Sequence, residues 1–258
     1  MKLFNLEGKN AIVFGGAGGI GKAIAQGLAE AGAQVALASR NRKALAPCAD
    51  QITAAAGRKA LFYVCDAARE DEVSALCAQA IADMGSVDIL VNAQGFNKKH
   101  PGTEFPVDVW DAMFEANVKS IMLTCKHFGA HMVERGGGKI INLSSVRGAR
   151  AVGNGGGGNV GYCATKGAVD MLTRAYASDL RPHVQVNALG PTITYTPMME
   201  GILPADPAER DRMAAAMPAM RIGYPEDCVG PAIFLASAAS DFVTGQVIYP
   251  DGGLTAIG

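Results

Sequence analysis

Tyr162 and Lys166 are the two residues whose types and spacing best fit proton-transfer chemistry. They stand four positions apart at the start of a helical pattern, which puts both side chains on one helix face about a turn apart. A free phenol has a pKa of about 10, and a nearby ammonium group stabilises the phenolate and lowers that value. We therefore expect Tyr162 to act as a general acid or base, assisted by Lys166.

Two further polar residues can support such a pair. Ser145 follows a predicted strand and offers a hydroxyl that polarises a substrate oxygen. Asn117 lies in a predicted amphipathic helix, where its amide can hold a backbone carbonyl or a water that relays protons to Lys166. A plain helix-surface amide is the alternative for Asn117.

A glycine-rich turn joins the first predicted strand to the first predicted helix. Its residues Gly15, Gly18, Gly19, Ile20 and Gly21 would present bare backbone N–H groups and a helix N-terminus to a pyrophosphate. A tight turn that serves only packing is the alternative.

The same turn also fits the start of a nucleotide-triphosphatase phosphate loop. Gly16 to Lys22 satisfies the pattern G-x-x-x-x-G-K, but Ala23 stands where Ser or Thr would hold magnesium. The sequence therefore disfavours an ATPase or a kinase.

The end of the second predicted strand carries no carboxylate for the ribose hydroxyls of NAD. Ser39 and Arg40 stand there instead, and they can bind the 2′-phosphate of NADP. We therefore expect NADP(H) to be favoured, with NAD(H) possible. Asp66, followed by Ala67 after the third strand, can accept a hydrogen bond from adenine, although capping of a helix explains Asp66 equally well.

Alternating apolar strands and helices must position these residues. Strands are predicted at Asn10–Phe14, Gln34–Ser39, Ala60–Val64, Asp88–Asn92, Lys139–Leu143, Val184–Leu189 and Gln246–Tyr249. Helices are predicted at Ile20–Ala31, Arg42–Ala56, Glu70–Met84, Val107–Glu134, Tyr162–Leu180 and Pro225–Ala236. This alternation predicts an α/β fold, a single doubly wound Rossmann domain over residues 1–258 with a seven-stranded parallel sheet and helices on both faces. Residues 192–224 break the rhythm, and we interpret them as a substrate lid.

The composition excludes several classes of protein. A formal net charge of −1 argues against a nucleic-acid partner. No stretch approaches the length of a membrane span, and the six cysteines form no CxxC pair, so we expect a cytoplasmic protein with reduced thiols. His127 and His131 have helical spacing, but no third ligand is visible, so no metal site is predicted.

Across nearly its whole length the sequence resembles the short-chain dehydrogenase/reductase family. The resemblance lies in the glycine turn, in Asn92-Ala93-Gln94-Gly95, in the Asn-Ser-Tyr-Lys set at Asn117, Ser145, Tyr162 and Lys166, and near Pro191. It implies an oxidoreductase that interconverts a secondary alcohol and a ketone and assembles as a homotetramer or homodimer. It also implies cofactor contacts for Asn92, Pro191, Thr194 and Thr196, with Lys166 binding the nicotinamide ribose. Departures from the family pattern are Phe14, Ala93, Thr192 and the long Gly153–Asn159 connection.

Three further segments look like those of gluconate 5-dehydrogenases and 2-deoxygluconate 3-dehydrogenases: His100–Pro106, Gly167–Arg174 and Ala239–Val243. A sugar acid or polyol is therefore the expected small-molecule substrate, contacted by Ser145 and Tyr162. Basic side chains that can bind its carboxylate are Lys98, Lys99, His100, Arg147 and Arg150, although loop cations are often only solvated. The alternatives are a 3-oxoacyl-[acyl-carrier-protein] reductase and a noncatalytic NADP-binding protein.

Overall fold

The computed structural model describes residues 2–151, 159–199, 203 and 205–257. Its strands are β1 (Asn10–Phe14), β2 (Gln34–Ser39), β3 (Leu61–Val64), β4 (Ile89–Asn92), β5 (Gly138–Leu143), β6 (Val184–Leu189) and β7 (Val247–Ile248). They form one parallel sheet in the order β3-β2-β1-β4-β5-β6-β7. The predicted seven-stranded parallel sheet is confirmed.

The α-helices are α1 (Gly19–Glu30), α2 (Arg42–Ala56), α3 (Glu70–Met84), α4 (Val107–Phe114), α5 (Ser120–Glu134), α6 (Val146–Ala149), α7 (Val160–Asp179), α8 (Pro207–Ala215) and α9 (Val229–Ala236). Short 3₁₀ segments occupy Lys2–Phe4, Gly102–Glu104, Pro197–Met199, Pro225–Cys228 and Ala238–Ser240. No helix in the described part of the chain is long and apolar enough to cross a membrane.

The sheet separates two apolar layers. Ala11 and Val13 of β1 pack with residues of α1, α2 and α9, while Ile12 and Phe14 pack with residues of α3, α5 and α7. Successive side chains of a strand point to opposite faces, so a strand covered on both faces must be apolar at every position. This explains why these strands appear in the sequence as continuous apolar runs.

The largest departure from the predicted elements concerns Val107–Glu134. This segment is not one continuous α-helix, because one π-helical turn at Glu115–Lys119 separates α4 from α5. Such wide turns occur mostly as single insertions in α-helices and are frequent at functional sites. Asn117 lies inside the turn and is fully buried.

The strand order reverses at β1, which pairs with β2 on one side and with β4 on the other. Connections therefore diverge at the carboxyl ends of β1 and β4, and the crevice left there is where ligands of doubly wound sheets bind. The glycine turn follows β1, and residues 93–97 follow β4.

Candidate active site

The glycine turn packs directly against the chain that leaves β4. A Cβ atom added to Gly15 would lie 2.6 Å from the carbonyl carbon of Ala93, and one added to Gly21 would lie 2.4 Å from the carbonyl oxygen of Gly15. Gly15 also has a φ of 73°, a conformation that favours glycine. Gly18, by contrast, has no atom within 4 Å of its added Cβ. The turn is therefore tight on its protein side and open on the other.

Lys22 supports the rejection of a triphosphatase loop. Its Nζ donates a hydrogen bond of 2.5 Å to Oε1 of Gln51 on α2, and it does not line the cavity beside the turn. The lysine of a phosphate loop would have to reach the phosphates.

A cavity of about 1090 Å³ runs along the carboxyl edge of the sheet. It is lined by all the predicted cofactor-binding residues but one: Gly15, Gly18, Gly19, Ile20, Gly21, Ser39, Arg40, Asp66, Ala67, Tyr162, Lys166, Pro191, Thr194 and Thr196. The structure therefore brings together residues that are far apart in the sequence.

Asn92 is the exception. It is fully buried, its Nδ2 donates to Asn142 Oδ1 at 2.9 Å, and its Oδ1 accepts from Thr124 Oγ1 at 2.7 Å. With both ends of its amide occupied behind the sheet edge, its side chain cannot make the expected ribose contact in this conformation. The geometry instead gives Asn92 a structural role between β4, β5 and α5.

At one end of the cavity, the ends of β2 and β3 lie side by side. Arg40 Nη1 is 4.0 Å from Asp66 Oδ2, and the Arg40 side chain is 75% exposed. Ser39 Oγ accepts a hydrogen bond of 3.3 Å from the backbone N–H of Asn41. A hydroxyl, a largely exposed guanidinium group and a carboxylate therefore meet where an adenosine moiety is expected.

At the other end, Tyr162 and Lys166 lie on the same face of α7. The Nζ of Lys166 is 5.5 Å from the centroid of the Tyr162 ring and donates a hydrogen bond of 2.6 Å to the carbonyl oxygen of Leu143. Lys166 is only 3% exposed. Its ammonium group is therefore held between the end of β5 and the phenol.

Burial determines the acidity of both groups. It raises the pKa of Tyr162 to about 12, and hydrogen bonding with Ser145 and the charge of Arg147 act in the opposite direction. Burial also lowers the pKa of Lys166 to about 8, against the opposing effect of Asp170. The expectation of a lowered phenol pKa is therefore wrong in this structure, because desolvation outweighs the nearby charges. The phenol is protonated at neutral pH.

Ser145 lies where the chain turns from β5 into α6. Its Oγ donates to the carbonyl of Pro191 at 3.3 Å and accepts from the backbone N–H of Arg147 at 3.2 Å. These bonds keep the hydroxyl in the cavity together with Tyr162. Residues 153–158 of the long glycine-rich connection lie outside the described residues.

Asn117 does not line the cavity but holds one of its walls. Its Nδ2 donates to the carbonyl of Phe96 at 2.9 Å, its Oδ1 accepts from the N–H of Phe96 at 2.9 Å, and Nδ2 also contacts Thr165 Oγ1 at 3.1 Å. Two roles were considered for the Asn117 amide, binding of a backbone carbonyl and binding of a water that relays protons. The structure shows the first of these contacts.

The candidate substrate cations separate into two groups. Arg147 and Lys99 line the cavity, whereas Lys98 and His100 do not. The His100 ring packs edge-on against Phe105 with centroids 5.4 Å apart. Arg150 donates to the carbonyls of Leu254 and Ile257 at 2.5 and 2.6 Å, so it holds the 254–257 segment. Arg147 is the predicted substrate cation that the geometry favours most.

Sequence reasoning missed several cavity residues, among them Gln94, Asn97, Glu115, Asn159 and Met213. Gln94, Asn97 and Asn159 are polar side chains directly after a buried strand or before the tyrosine helix, a signal that was available in the sequence. Met213 lies in the predicted lid, as do Met198 and Met199, which also line the cavity. The lid interpretation itself stays a prediction.

The lining fits a nicotinamide nucleotide. Gln94 Oε1 and Thr192 Oγ1 are buried without a hydrogen-bond partner among the described residues, and both residues line the cavity. Buried polar atoms normally have partners, so these two call for a polar ligand. The open face of Gly18 provides the close backbone approach that a pyrophosphate needs.

Comparison with known proteins gives matches over the whole chain. A family model described as Enoyl-(Acyl carrier protein) reductase matches residues 15–255. A gluconate 5-dehydrogenase of Gluconobacter oxydans (strain 621H) is 40% identical over 254 residues, covering 98% of this chain and 97% of that protein. A cis-4-hydroxycyclohexanecarboxylate dehydrogenase of Sinomonas cyclohexanicum is 39% identical over 252 residues, covering 96% of each.

Among solved structures, a gluconate 5-dehydrogenase from Burkholderia cenocepacia J2315 in complex with NADP and tartrate matches with a TM-score of 0.93 and 38% identity. The match covers 100% of this chain and 99% of that one.

Proposed function

The chain belongs to the short-chain dehydrogenase/reductase family and is an oxidoreductase of CH–OH groups that uses a nicotinamide nucleotide, and we propose that its substrate is a sugar acid such as gluconate or its 5-keto form. The observation that carries this proposal is the position of Arg147. Arg147 lines the cavity, its Nη1 donates a hydrogen bond of 3.0 Å to the carbonyl oxygen of Ala151, and its positive charge acts to lower the pKa of Tyr162. A carboxylate bound there would place a hydroxyl-bearing carbon of the same molecule near the phenol.

The relatives support an acid substrate. One is a gluconate 5-dehydrogenase, one a dehydrogenase of a hydroxy carboxylic acid, and the Burkholderia cenocepacia structure contains tartrate. Their common feature is a secondary alcohol on a molecule that carries a carboxylate. Lys99, also in the lining, supplies a second cation.

The catalytic steps that we assign to the chain follow from the site. The bound nucleotide supplies the hydride acceptor or donor. In ketone reduction Tyr162, protonated at neutral pH, donates its proton to the substrate oxygen, while the Ser145 hydroxyl polarises that oxygen. Lys166 stays beside the phenol and stabilises its ionised form after transfer.

For the cofactor we propose a preference for NADP(H) over NAD(H). Ser39 and Arg40 end β2 at the cavity, and the Arg40 guanidinium is mostly exposed and only loosely paired with Asp66. A planar guanidinium pairs well with a phosphate. NADP in the Burkholderia cenocepacia relative supports this preference.

We also propose a cytoplasmic homotetramer or homodimer. Phe242 is 105% exposed and Met171 on α7 is 59% exposed, and large exposed apolar side chains are typical of surfaces that pack against other chains. All six cysteines are free thiols, as suits a reducing compartment. Light scattering at several protein concentrations tests the assembly.

A substrate panel tests the proposed function. Absorbance of the reduced nucleotide is followed with D-gluconate, 5-ketogluconate, neutral polyols, cis-4-hydroxycyclohexanecarboxylate and an acetoacetyl thioester, each with NADP(H) and NAD(H). We expect D-gluconate or 5-ketogluconate to give the highest kcat/KM, and Arg147→Met to lower kcat/KM for the acids by about 10-fold or more with little effect on neutral polyols.

Each alternative has its own outcome in this panel. Oxidation of neutral polyols but of no acid would overturn the sugar-acid proposal. Fast reduction of the thioester would favour the 3-oxoacyl reductase, and tight NADPH binding without any turnover would favour a noncatalytic protein.

A further inference from the structure

Two buried amide oxygens border the tyrosine end of the cavity and have no hydrogen-bond partner in the part of the chain that the structure describes. Asn97 Oδ1 and Asn159 Oδ1 accept no hydrogen bond from the described residues, and both side chains line the cavity. Polar atoms buried in a folded protein nearly always have a partner. A ligand that donates hydrogen bonds to both oxygens would satisfy them.

The position of Asn97 is fixed relative to the tyrosine helix. The preceding residue, Phe96, is bonded through both its N–H and its carbonyl to Asn117, whose amide also contacts Thr165 on α7. Asn97 thus follows a segment that is tied to the helix carrying Tyr162.

Asn159 lies at the start of that same helix. Its carbonyl accepts a hydrogen bond of 2.9 Å from the N–H of Cys163, the residue next to Tyr162. Its side chain therefore projects from the first turn of α7, three residues before the phenol.

The two segments that carry these amides touch each other. A Cβ added to Gly161 would lie 2.7 Å from the Phe105 ring, and one added to Gly102 would lie 3.2 Å from a methyl group of Val160. The stretch after β4 and the start of α7 therefore form one wall, next to Tyr162. This wall is at the opposite side of the strand-order reversal from β2 and β3, where Ser39, Arg40 and Asp66 lie.

The chemistry of the unpaired atoms points to hydroxyl groups. A carboxylate has no proton to donate to an amide oxygen, whereas a hydroxyl donates and accepts. If an amide turns over and presents its NH₂ instead, a hydroxyl is still a partner. We propose that Asn97 and Asn159 bind substrate hydroxyls other than the reacting one, so that the enzyme selects polyhydroxy substrates over those with a single hydroxyl. For acids, this inference rests on the proposed function.

The inference is tested by a double-mutant-type cycle that combines enzyme variants with substrates that lack single hydroxyls. The values of kcat and KM are measured for wild type, Asn97→Leu and Asn159→Leu with D-gluconate and with gluconates that lack one hydroxyl each. In wild type, loss of a recognised hydroxyl should lower kcat/KM by about 5- to 100-fold. In the variant that lacks its partner, removal of the same hydroxyl should change kcat/KM less than about 3-fold, because the contact is already gone.

Controls separate recognition from folding. Asn5→Leu changes an exposed amide away from the cavity and should behave as wild type. Each leucine variant should keep the thermal midpoint and the NADPH affinity of wild type, and Asn97→Ala and Asn159→Ala replace any leucine variant that is unstable. A purely structural role of the amides would lower activity equally for all substrates.

The possible outcomes also separate this inference from the acid proposal. If neutral polyols react and acids do not, the acid proposal fails, and the same cycle is run with D-glucitol and its deoxy analogues. Equal effects of hydroxyl removal in wild type and both variants would overturn the inference. So would a wild-type preference for cis-4-hydroxycyclohexanecarboxylate or for other alcohols with one hydroxyl.

Discussion

The amide of Asn117 closes two hydrogen bonds of 2.9 Å on the backbone of Phe96, one in each direction. Phe96 lies four residues beyond β4, and Asn117 lies in the π-helical turn between α4 and α5. Because the same amide also reaches Thr165 on α7, one side chain fixes the distance between the post-β4 wall of the cavity and the tyrosine helix. We therefore propose that Asn117 acts by positioning this wall and not by touching the substrate.

We predict that Asn117→Ala lowers kcat by about 100-fold, because small displacements of reacting groups are costly, and that NADPH affinity changes only a few-fold. The N–H and the carbonyl of Phe96, both partly buried, lose their partners, so stability should fall by about 1–3 kcal/mol. Steady-state kinetics, fluorescence titration and thermal melting measure the three effects.

Asn187→Ala is the matched control for this prediction. Asn187 is also buried and makes an equivalent pair of backbone bonds, to the carbonyl of Val243 and from the N–H of Gln246, away from the cavity. It should lose similar stability but little kcat. Equal losses of kcat in both variants would show that Asn117 is only structural.

Tyr162→Phe should remove the proton donor and leave the nucleotide site intact. We expect kcat to fall by about 10²–10⁴-fold with unchanged NADPH binding. Tyr176→Phe on the same helix removes a hydroxyl that donates to the carbonyl of Met122 at 3.0 Å, away from the cavity, and should keep kcat near that of wild type. Substantial turnover by Tyr162→Phe would contradict the assigned role.

The two reaction directions should differ in their dependence on pH. With the pKa of Tyr162 raised to about 12, the phenol keeps its proton from pH 6 to 8, so reduction should be nearly constant there. Oxidation needs the phenolate, whose fraction rises by about tenfold per pH unit in this range. Above pH 8 the rise should weaken, because Lys166, with a pKa of about 8, loses the charge that stabilises the phenolate.

Initial rates of both directions between pH 6 and 10 measure this dependence, under saturating nucleotide. A rate of oxidation that stays level between pH 6 and 8 would be incompatible with a phenol of raised pKa.

Much of the fold follows from local signals in the sequence. The bounds of α2 and α3 agree with the predicted ones because each ends at a glycine in the left-handed conformation, Gly57 or Gly85, and Asn41 caps the start of α2. The wide turn at Asn117 has no such signal. It depends on the fit of the segment against Phe96 and Thr165, contacts that are distant in the sequence.

The same distinction applies to the site. The alternation of side chains along β4 places Asn92 on the same face as Leu90, which packs in the layer of α5. The buried position of Asn92 could therefore have been predicted from the sequence. The raised pKa of Tyr162 could not, because its cause is burial by other segments and not the local spacing of Tyr162 and Lys166.

The glycine turn allows a steric test. Gly21→Ala would put a methyl group 2.4 Å from the Gly15 carbonyl oxygen and 3.2 Å from Ala93 Cβ, so the turn must shift. We expect a loss of about 1–3 kcal/mol of stability and of most NADPH affinity. In contrast, Gly230→Ala on α9 meets no atom of another segment within 4 Å. It should change stability by less than about 1 kcal/mol, because Pro231 offsets the helix preference of alanine, and it should keep NADPH affinity. Unchanged NADPH binding by Gly21→Ala would refute the assignment of the turn to the pyrophosphate.

The proposed preference for NADP(H) depends on Arg40 more than on any other side chain. Arg40 is mostly exposed at the end of β2, 4.0 Å from Asp66, and is free to turn toward a 2′-phosphate. Arg40→Ala should raise KM for NADP by about 10- to 100-fold and leave KM for NAD nearly unchanged, because NAD lacks that phosphate. Arg42→Ala is the matched control, since its guanidinium lies over the Phe62 ring at 5.4 Å and should serve neither nucleotide. A wild-type enzyme with a lower KM for NAD than for NADP, or an Arg40→Ala variant that raises both values equally, would show that this arginine does not recognise the phosphate.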